Sequence, residues 1–267
     1  VDMYKDKNGK IGGDIPVYPS FNETFTDKPV ELAWNESKWA GGNPAYLPVP
    51  NPYDWEDVWQ QRMGISFASD TLVDYAVGTI IDKVKELGFD KNTLIIWTLD
   101  HGDATGAHGG HIDKQCYQAE EIMRIPMAVR LPGGVNGGTV NNAYTGTLDV
   151  PVTMLDAMGL KFSGDLVAGR SLLPLAVGKE IEWRDYNVSV TNGHFSDSRV
   201  RTIYHGDYKY NYNYRDIDEL YNLKIDPYEM KNLIKDPKYY NILRGMKQMC
   251  REWQIEYNDI IPLVMVD

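Results

Sequence analysis

The chain has 267 residues, 43% of them hydrophobic and 24% charged, the composition of a globular protein with enough length for a buried core in one large domain or two unequal ones. Its formal net charge of −11 excludes nucleic acid as a partner, because phosphate binding needs clustered Lys and Arg. No apolar run reaches the roughly 18 residues that a membrane-spanning helix requires, so no membrane partner is expected.

Residues 1–54 are punctuated by Gly12-Gly13, Gly41-Gly42 and Pro16, Pro19, Pro29, Pro44, Pro48, Pro50 and Pro52, which predicts extended loops wrapping over other structure. From Trp55 to about Leu87, Val58, Trp59, Met63, Phe67, Val73, Val77, Ile80, Ile81 and Val84 recur at threes and fours. That spacing predicts a helix stopped by Gly88, with Gly64 or Gly78 dividing it into two pieces. Strands are predicted over Thr93–Leu99, over Met127–Leu131 and, briefly, over Thr145–Asp149. A helix near Val150–Met158 follows, capped by Gly159.

Beyond Gly178 the pattern changes to short strands at Tyr186–Val190, Val200–Tyr204 and Asp207–Asn213, with turns at Asn192-Gly193 and His205-Gly206. A last helix is expected from about Asp236 to Tyr257. The fold class expected is α/β, with a small C-terminal antiparallel α+β subdomain. Residues 1–180 form the α/β part in this reading and residues 181–267 the subdomain.

The densest chemistry lies where the apolar run Leu94–Leu99 ends in Asp100-His101-Gly102, followed by Asp103, His108, His111, Asp113 and Lys114. A carboxylate beside an imidazole at the end of a strand suits a divalent metal, and open α/β sheets bind ligands at that end. The plain alternative is a solvated Asp-His turn. Cys116 and Cys250 are too few and too far apart for a disulfide scaffold or a zinc site. Tyrosine is abundant, with 18 residues, which suits a polar, sugar-like ligand as well as it suits simple compositional drift.

The run DHGDATGAHGGHIDK followed by EEIMRIPMAVRLPGG resembles the sulfatase family of the alkaline phosphatase superfamily. Members carry a strand, then D-[HN]-G-x-x-x-G-x-H-G, a lysine shortly after, and EE-x-x-R-[IV]-P before the next strand. Further similar segments are DMY at Asp2–Tyr4, PSFNETFTDKP at Pro19–Pro29, AGRSLLPLAVG at Ala168–Gly178 and DELYNLKIDPYEMKNL at Asp218–Leu233. The resemblance covers almost the whole chain. It implies an alkaline phosphatase-like fold and sulfuric ester hydrolysis. Asp100 and His101 would be two ligands of a divalent cation, most often calcium, and Lys114 would contact a sulfate oxygen. His108 would join Lys114 in the catalytic site in a supporting or subsite role, with a structural role as the alternative. Glu120, Glu121 and Arg124 would tie the loop down through ion pairs, and His194 and Arg199 are weaker candidates for the mouth of the site. The resemblance also implies a sulfate ester, such as a sulfated glycan, as substrate, and a periplasmic or extracellular location.

The family's nucleophile stands in a C-x-P-x-R or S-x-P-x-R pentapeptide, whose Cys or Ser becomes formylglycine. Cys116 opens CYQAE, Cys250 opens CREWQ, and no serine opens such a motif. The aspartate pair that completes the metal site is also missing. The chain therefore reads as the C-terminal half of a sulfatase, inactive alone and partnered by the N-terminal half of the same protein. A phosphodiesterase or phosphonate monoester hydrolase of the same superfamily is the alternative reaction, and a non-catalytic carbohydrate-binding scaffold the alternative class.

Overall fold

A computed structural model of the chain describes residues 2–23, 26–29, 55–111, 113–114, 117–163, 167–193 and 197–266. It forms two compact units that interleave along the sequence. One comprises Val1–Leu72, His101–Arg124 and Val188–Asp267, the other Val73–Asp100 and Ile125–Asn187.

Helix α1 runs unbroken over Trp55–Glu86, so neither Gly64 nor Gly78 divides it. Gly64 serves close approach instead. The N-terminal turn, closed by a bridge between Lys5 and Ile11, lies directly on the helix. A Cβ at Gly64 would come within 2.8 Å of the Gly12 nitrogen, and one at Gly12 within 1.8 Å of the Gln60 carbonyl oxygen. Glycine is the residue that lets two backbones meet this closely.

In the second unit, β1 (Ile95–Thr98) pairs antiparallel with β2 (Met127–Arg130), in the register Ile95↔Arg130 to Thr98↔Met127. The strand expected over Thr145–Asp149 does not form. The Asp149 carboxylate accepts the N–H groups of Gly146 at 2.9 Å and Arg170 at 2.7 Å. These bonds curl the segment into a turn that leads directly into α2 (Asp149–Ala157). Gly159, at φ +71°, ends α2 as expected, its N–H donating to the Asp156 carbonyl at 2.9 Å.

The first unit is built on a four-stranded sheet in the order β3 (Tyr186–Asn192), β4 (Arg199–His205), β5 (Tyr208–Asn213), β6 (Glu219–Asn222). β4, β5 and β6 pair antiparallel. The β4–β5 turn places Gly206 at φ +57°, a conformation glycine adopts without steric cost. β6 escapes the sequence reading because all four of its residues are buried, and a strand covered on both faces shows no alternation. Helix α3 (Tyr240–Glu256) buries a stripe of Met246, Cys250 and Gln254, spaced at i, i+4, i+8. It lies against β4 and β5.

The register sorts the sheet into two unlike faces. Ile203, Tyr210 and Leu220 stand opposite one another on one face, and all are buried. Thr202, Asn211 and Glu219 share the other and are buried as well. This second face is polar, and the segment Tyr117–Met123 covers it through hydrogen bonds from Thr202 to Gln118 and from Lys209 to the Gln118 carbonyl.

Candidate functional site

Asp100 is exposed and closes one stretch of the second unit, and half-buried His101 opens a loop of the first. The loop begins and ends at a single tight contact. Gly102 donates its N–H to the Ile122 carbonyl at 2.7 Å, and a Cβ at Gly102 would come within 2.0 Å of the Glu121 carbonyl oxygen. Between these ends the chain folds back on itself, with Ala104 N–H donating to Asp113 O and Gly106 N–H to His111 O at 3.1 and 2.7 Å. The Asp103 carboxylate accepts N–H groups from Thr105 at 2.7 Å and Asp113 at 3.1 Å. Thr105, His108 and Asp113 all take left-handed backbone, at φ 46°, 50° and 58°. Each such residue costs about 1–3 kcal/mol, and the surrounding hydrogen bonds offset that strain.

His101 and Lys114 meet. The Nδ1 of His101 lies 2.7 Å from the Gly102 carbonyl, and a carbonyl can only accept, so Nδ1 carries the proton. The lone pair is then on Nε2, where the Lys114 Nζ donates at 2.7 Å. An imidazole whose remote N–H is fixed on a backbone carbonyl is the usual arrangement of a metal-binding histidine. The ammonium of Lys114 places a positive charge where a cation would stand. Nε2 of His101 is thus oriented as a ligand atom, and Lys114 occupies that position.

His108 lies elsewhere in the loop and is fully buried. Its Nδ1 lies 2.7 Å from Glu23 Oε2, and its Nε2 lies 3.2 Å from Glu121 Oε2. The buried ammonium of Lys28 pairs with Glu23 at 2.8 Å and donates to the Tyr117 hydroxyl at 2.9 Å. Burial disfavours charge on His108, but the hydrogen bonds to Glu121 and Glu23 outweigh it and raise the pKa above the ordinary histidine value. Burial also pushes Glu121 up, and its bond to His108 more than reverses that. His111, buried near the charges of His108 and Lys28, is pushed down to about 4.

A second buried ion cluster adjoins the first. Lys209 Nζ lies 2.8 Å from Glu229 and 3.2 Å from Glu120, and Glu229 accepts the Glu120 N–H at 2.8 Å. Burial works against the Lys209 charge, but the facing Glu229 and Glu120 hold its pKa above the usual lysine value. Among the described residues His108, Glu121 and Glu229 bring possible metal-ligating atoms within 4.8 Å of one another. Lys209 pairs with Glu229, and Lys28 pairs with Glu23, which His108 also contacts, so this group belongs to a buried ion network. Glu23, Lys28, Lys209 and Glu229 were not among the sequence candidates. They lie far from the loop in sequence; Glu23, Lys28 and Glu229 fall in the family-like segments Pro19–Pro29 and Asp218–Leu233, which signal the family but not which charges will meet.

The remaining candidates separate. Glu120 and Glu121 pair with Lys209 and His108 respectively. Arg199 is exposed at the first position of β4, while His194 and Cys116 lie outside the described residues. Cys250 is on the buried face of α3, where burial pushes its thiol up to about 12. No described helix is long and apolar enough to cross a membrane.

Residues 23–160 match the family described as Sulfatase, and residues 106–256 the family described as N-sulphoglucosamine sulphohydrolase, C-terminal. An N-acetylglucosamine-6-O-sulfatase of Bacteroides thetaiotaomicron is 30% identical over 212 residues, covering 76% of this chain and 38% of that protein. The multifunctional alkaline phosphatase superfamily protein PehA of Trinickia caryophylli is 31% identical over 206 residues, covering 71% of this chain and 39% of that protein. A solved structure described as a complex with its substrate D-glucosamine-2-N,6-O-disulfate superposes with a TM-score of 0.73 at 27% identity. That match covers 80% of this chain and 44% of the other. The chain spans about two fifths of the length of these curated relatives.

Proposed function

Because this chain belongs to the sulfatase family of the alkaline phosphatase superfamily, and has its fold, we propose that it forms part of a sulfuric ester hydrolase. In this reading residues 1–180 belong to the α/β catalytic part and residues 181–267 form its small C-terminal subdomain. The observation that carries the proposal is the paired geometry of His101 and Lys114, 2.7 Å apart in the loop that follows Asp100 in sequence.

Asp100 and His101 would be two ligands of a divalent cation, calcium by family resemblance. Two ligands do not satisfy a hard cation that takes six or more oxygens, so the others would come from sequence outside these residues. A cation held there would supply polarisation of the sulfate group. The His101 N–H stays on the Gly102 carbonyl and keeps the ring in its ligating orientation. Lys114 turns from His101 towards the ester and offsets negative charge growing on the bridging oxygen. His108, engaged on both nitrogens, supports the loop from behind. The nucleophile, formylglycine by resemblance, would also come from outside the chain, since no C/S-x-P-x-R pentapeptide is present.

The names of the glucosamine-sulfatase relatives support a sulfated glycan as substrate. A second reading keeps the site and changes the ester to a phosphate diester or phosphonate monoester; it rests on the alkaline phosphatase superfamily shared with PehA, a protein described as multifunctional. A fluorogenic aryl sulfate, a sulfated glucosamine and an aryl phosphonate, assayed with the polypeptide that carries the pentapeptide, separate the two. The 267 residues alone are expected to give no turnover. Turnover by these residues alone, or full activity after Asp100→Asn, would count against the proposal.

A further inference from the structure

We propose that His108 is a buried imidazolium, a positioning residue whose charge bolts the loop bearing His101 and Lys114 to the segment Ser20–Lys28. The inference concerns the charge and the anchoring of the loop, and it holds whichever ester the site hydrolyses.

The first argument is geometric. Nδ1 lies 2.7 Å from Glu23 Oε2 and Nε2 lies 3.2 Å from Glu121 Oε2. A carboxylate accepts and cannot donate, so each ring nitrogen needs its own proton. A neutral ring would set a lone pair against one carboxylate. Two donors also approach Nδ1, the Tyr117 hydroxyl at 3.0 Å and the Lys28 ammonium at 3.3 Å. Both lie farther from that nitrogen than the Glu23 oxygen at 2.7 Å.

The second argument is charge balance. Glu23, Lys28 and His108 are essentially fully buried and Glu121 nearly so. Among the described residues, a neutral His108 would leave Glu23 and Glu121 with Lys28 as their facing cation, two carboxylates on one positive charge in a medium where an unbalanced ion is costly. An imidazolium gives these two carboxylates a second positive charge. The nearby Glu229 pairs with Lys209, which also faces Glu120, and His111 is held neutral, its pKa pushed down to about 4. The groups facing His108 are therefore Glu23 and Lys28 from the N-terminal segment, Tyr117, Glu121 and His111 from the loop, and Glu229 from the chain after β6.

The third argument is mechanical. His108 N–H donates to Ser20 Oγ at 3.0 Å and Gly109 N–H to the Ser20 carbonyl at 2.9 Å. The backbone and the ring of one residue therefore both fasten the loop to the same segment. The opposite side of the ring holds Glu121, the residue before the loop-closing Ile122. Charge on the ring links the outer segment to the loop's return.

Imidazole nitrogen NMR on the chain with 15N-labelled histidine tests this, the His108 signals being assigned from a His108→Gln sample. Two protonated ring nitrogens on His108 at pH 7 are expected. Glu23→Gln should weaken proton binding at His108 about tenfold, the loss of one close carboxylate. At a pH between the two midpoints, the His101 ring signals should shift in Glu23→Gln relative to the unaltered chain. A single neutral tautomer of His108 at pH 7 in the unaltered chain overturns the proposal whether or not either variant folds. An unchanged midpoint in a folded Glu23→Gln chain overturns the bridge, and unmoved His101 signals overturn the positioning role.

Discussion

The ammonium of Lys114 donates to Nε2 of His101 across 2.7 Å, while the other nitrogen of that ring is fixed on the Gly102 carbonyl. One lone pair thus has two competing claimants, the lysine and a cation. The pair marks a point in the loop where positive charge is already accommodated.

Lys114→Ala removes one claimant and also the group that offsets charge on the leaving oxygen. In the complete polypeptide, kcat for an aryl sulfate should fall by about 10²–10³-fold, the loss typical of one transition-state donor. Divalent-cation binding, measured by calorimetry, should tighten in the same variant. Weaker cation binding by Lys114→Ala would show that the lysine does not compete for Nε2.

The two buried histidines should give stability opposite dependences on pH. His108 has a folded pKa raised above the unfolded value, so its contribution is complete below about 6.5 and is lost as pH rises through the folded pKa. His111 has a folded value pushed down to about 4. The unfolded chain then binds the extra proton, and stability is lost as pH falls from about 6.5 to 4, by up to ~3 kcal/mol. Urea unfolding across pH 4–9 should show both limbs, with the alkaline one absent in His108→Gln and the acid one reduced in His111→Phe.

Gly102→Ala tests the loop closure. The added carbon would fall 2.0 Å from the Glu121 carbonyl oxygen, a backbone atom that cannot swing aside. Stability should drop by about 1–3 kcal/mol, the range for overpacking, and exchange of the backbone amide at position 102 should rise. Unchanged unfolding midpoint and exchange would mean that the loop does not depend on this contact.

The small subdomain should depend on one buried ion pair. Arg201 Nε and Nη2 lie 2.8 and 2.6 Å from the two oxygens of Asp259, with side-chain exposures of 0% and 5%. Asp259→Ala leaves the guanidinium buried without its carboxylate and should cost about 3–5 kcal/mol. Replacing both residues by well-packed apolar side chains should cost much less. Equal losses in the single and double variants would contradict this account.

Much of the architecture was legible in the residue pattern. The periodicity of 55–87 gives α1, the glycine at 159 gives the stop of α2, and the His205-Gly206 turn gives the β4–β5 hairpin. Asp100, His101 and Lys114 stand out through their position after an apolar strand. The misses share a cause. Residue pattern alone makes Gly64 a breaker and leaves β6 without a signal, because only a neighbouring segment, Gly12 in one case and a covering layer in the other, explains their composition. The same pattern puts Asp149 in a strand, because it does not reveal that the carboxylate will collect the N–H groups of Gly146 and Arg170.

What the chain's residues decided alone is the family, the strand-to-loop delivery of a carboxylate and an imidazole, and the helical and hairpin segments, since all of these follow from short-range spacing. What folding decided is which charges meet. Glu23 and His108, Lys209 and Glu229, and Arg201 and Asp259 are brought together from distant stretches. A buried ion is tolerated only where an opposite charge arrives, and that arrival depends on how the backbone packs.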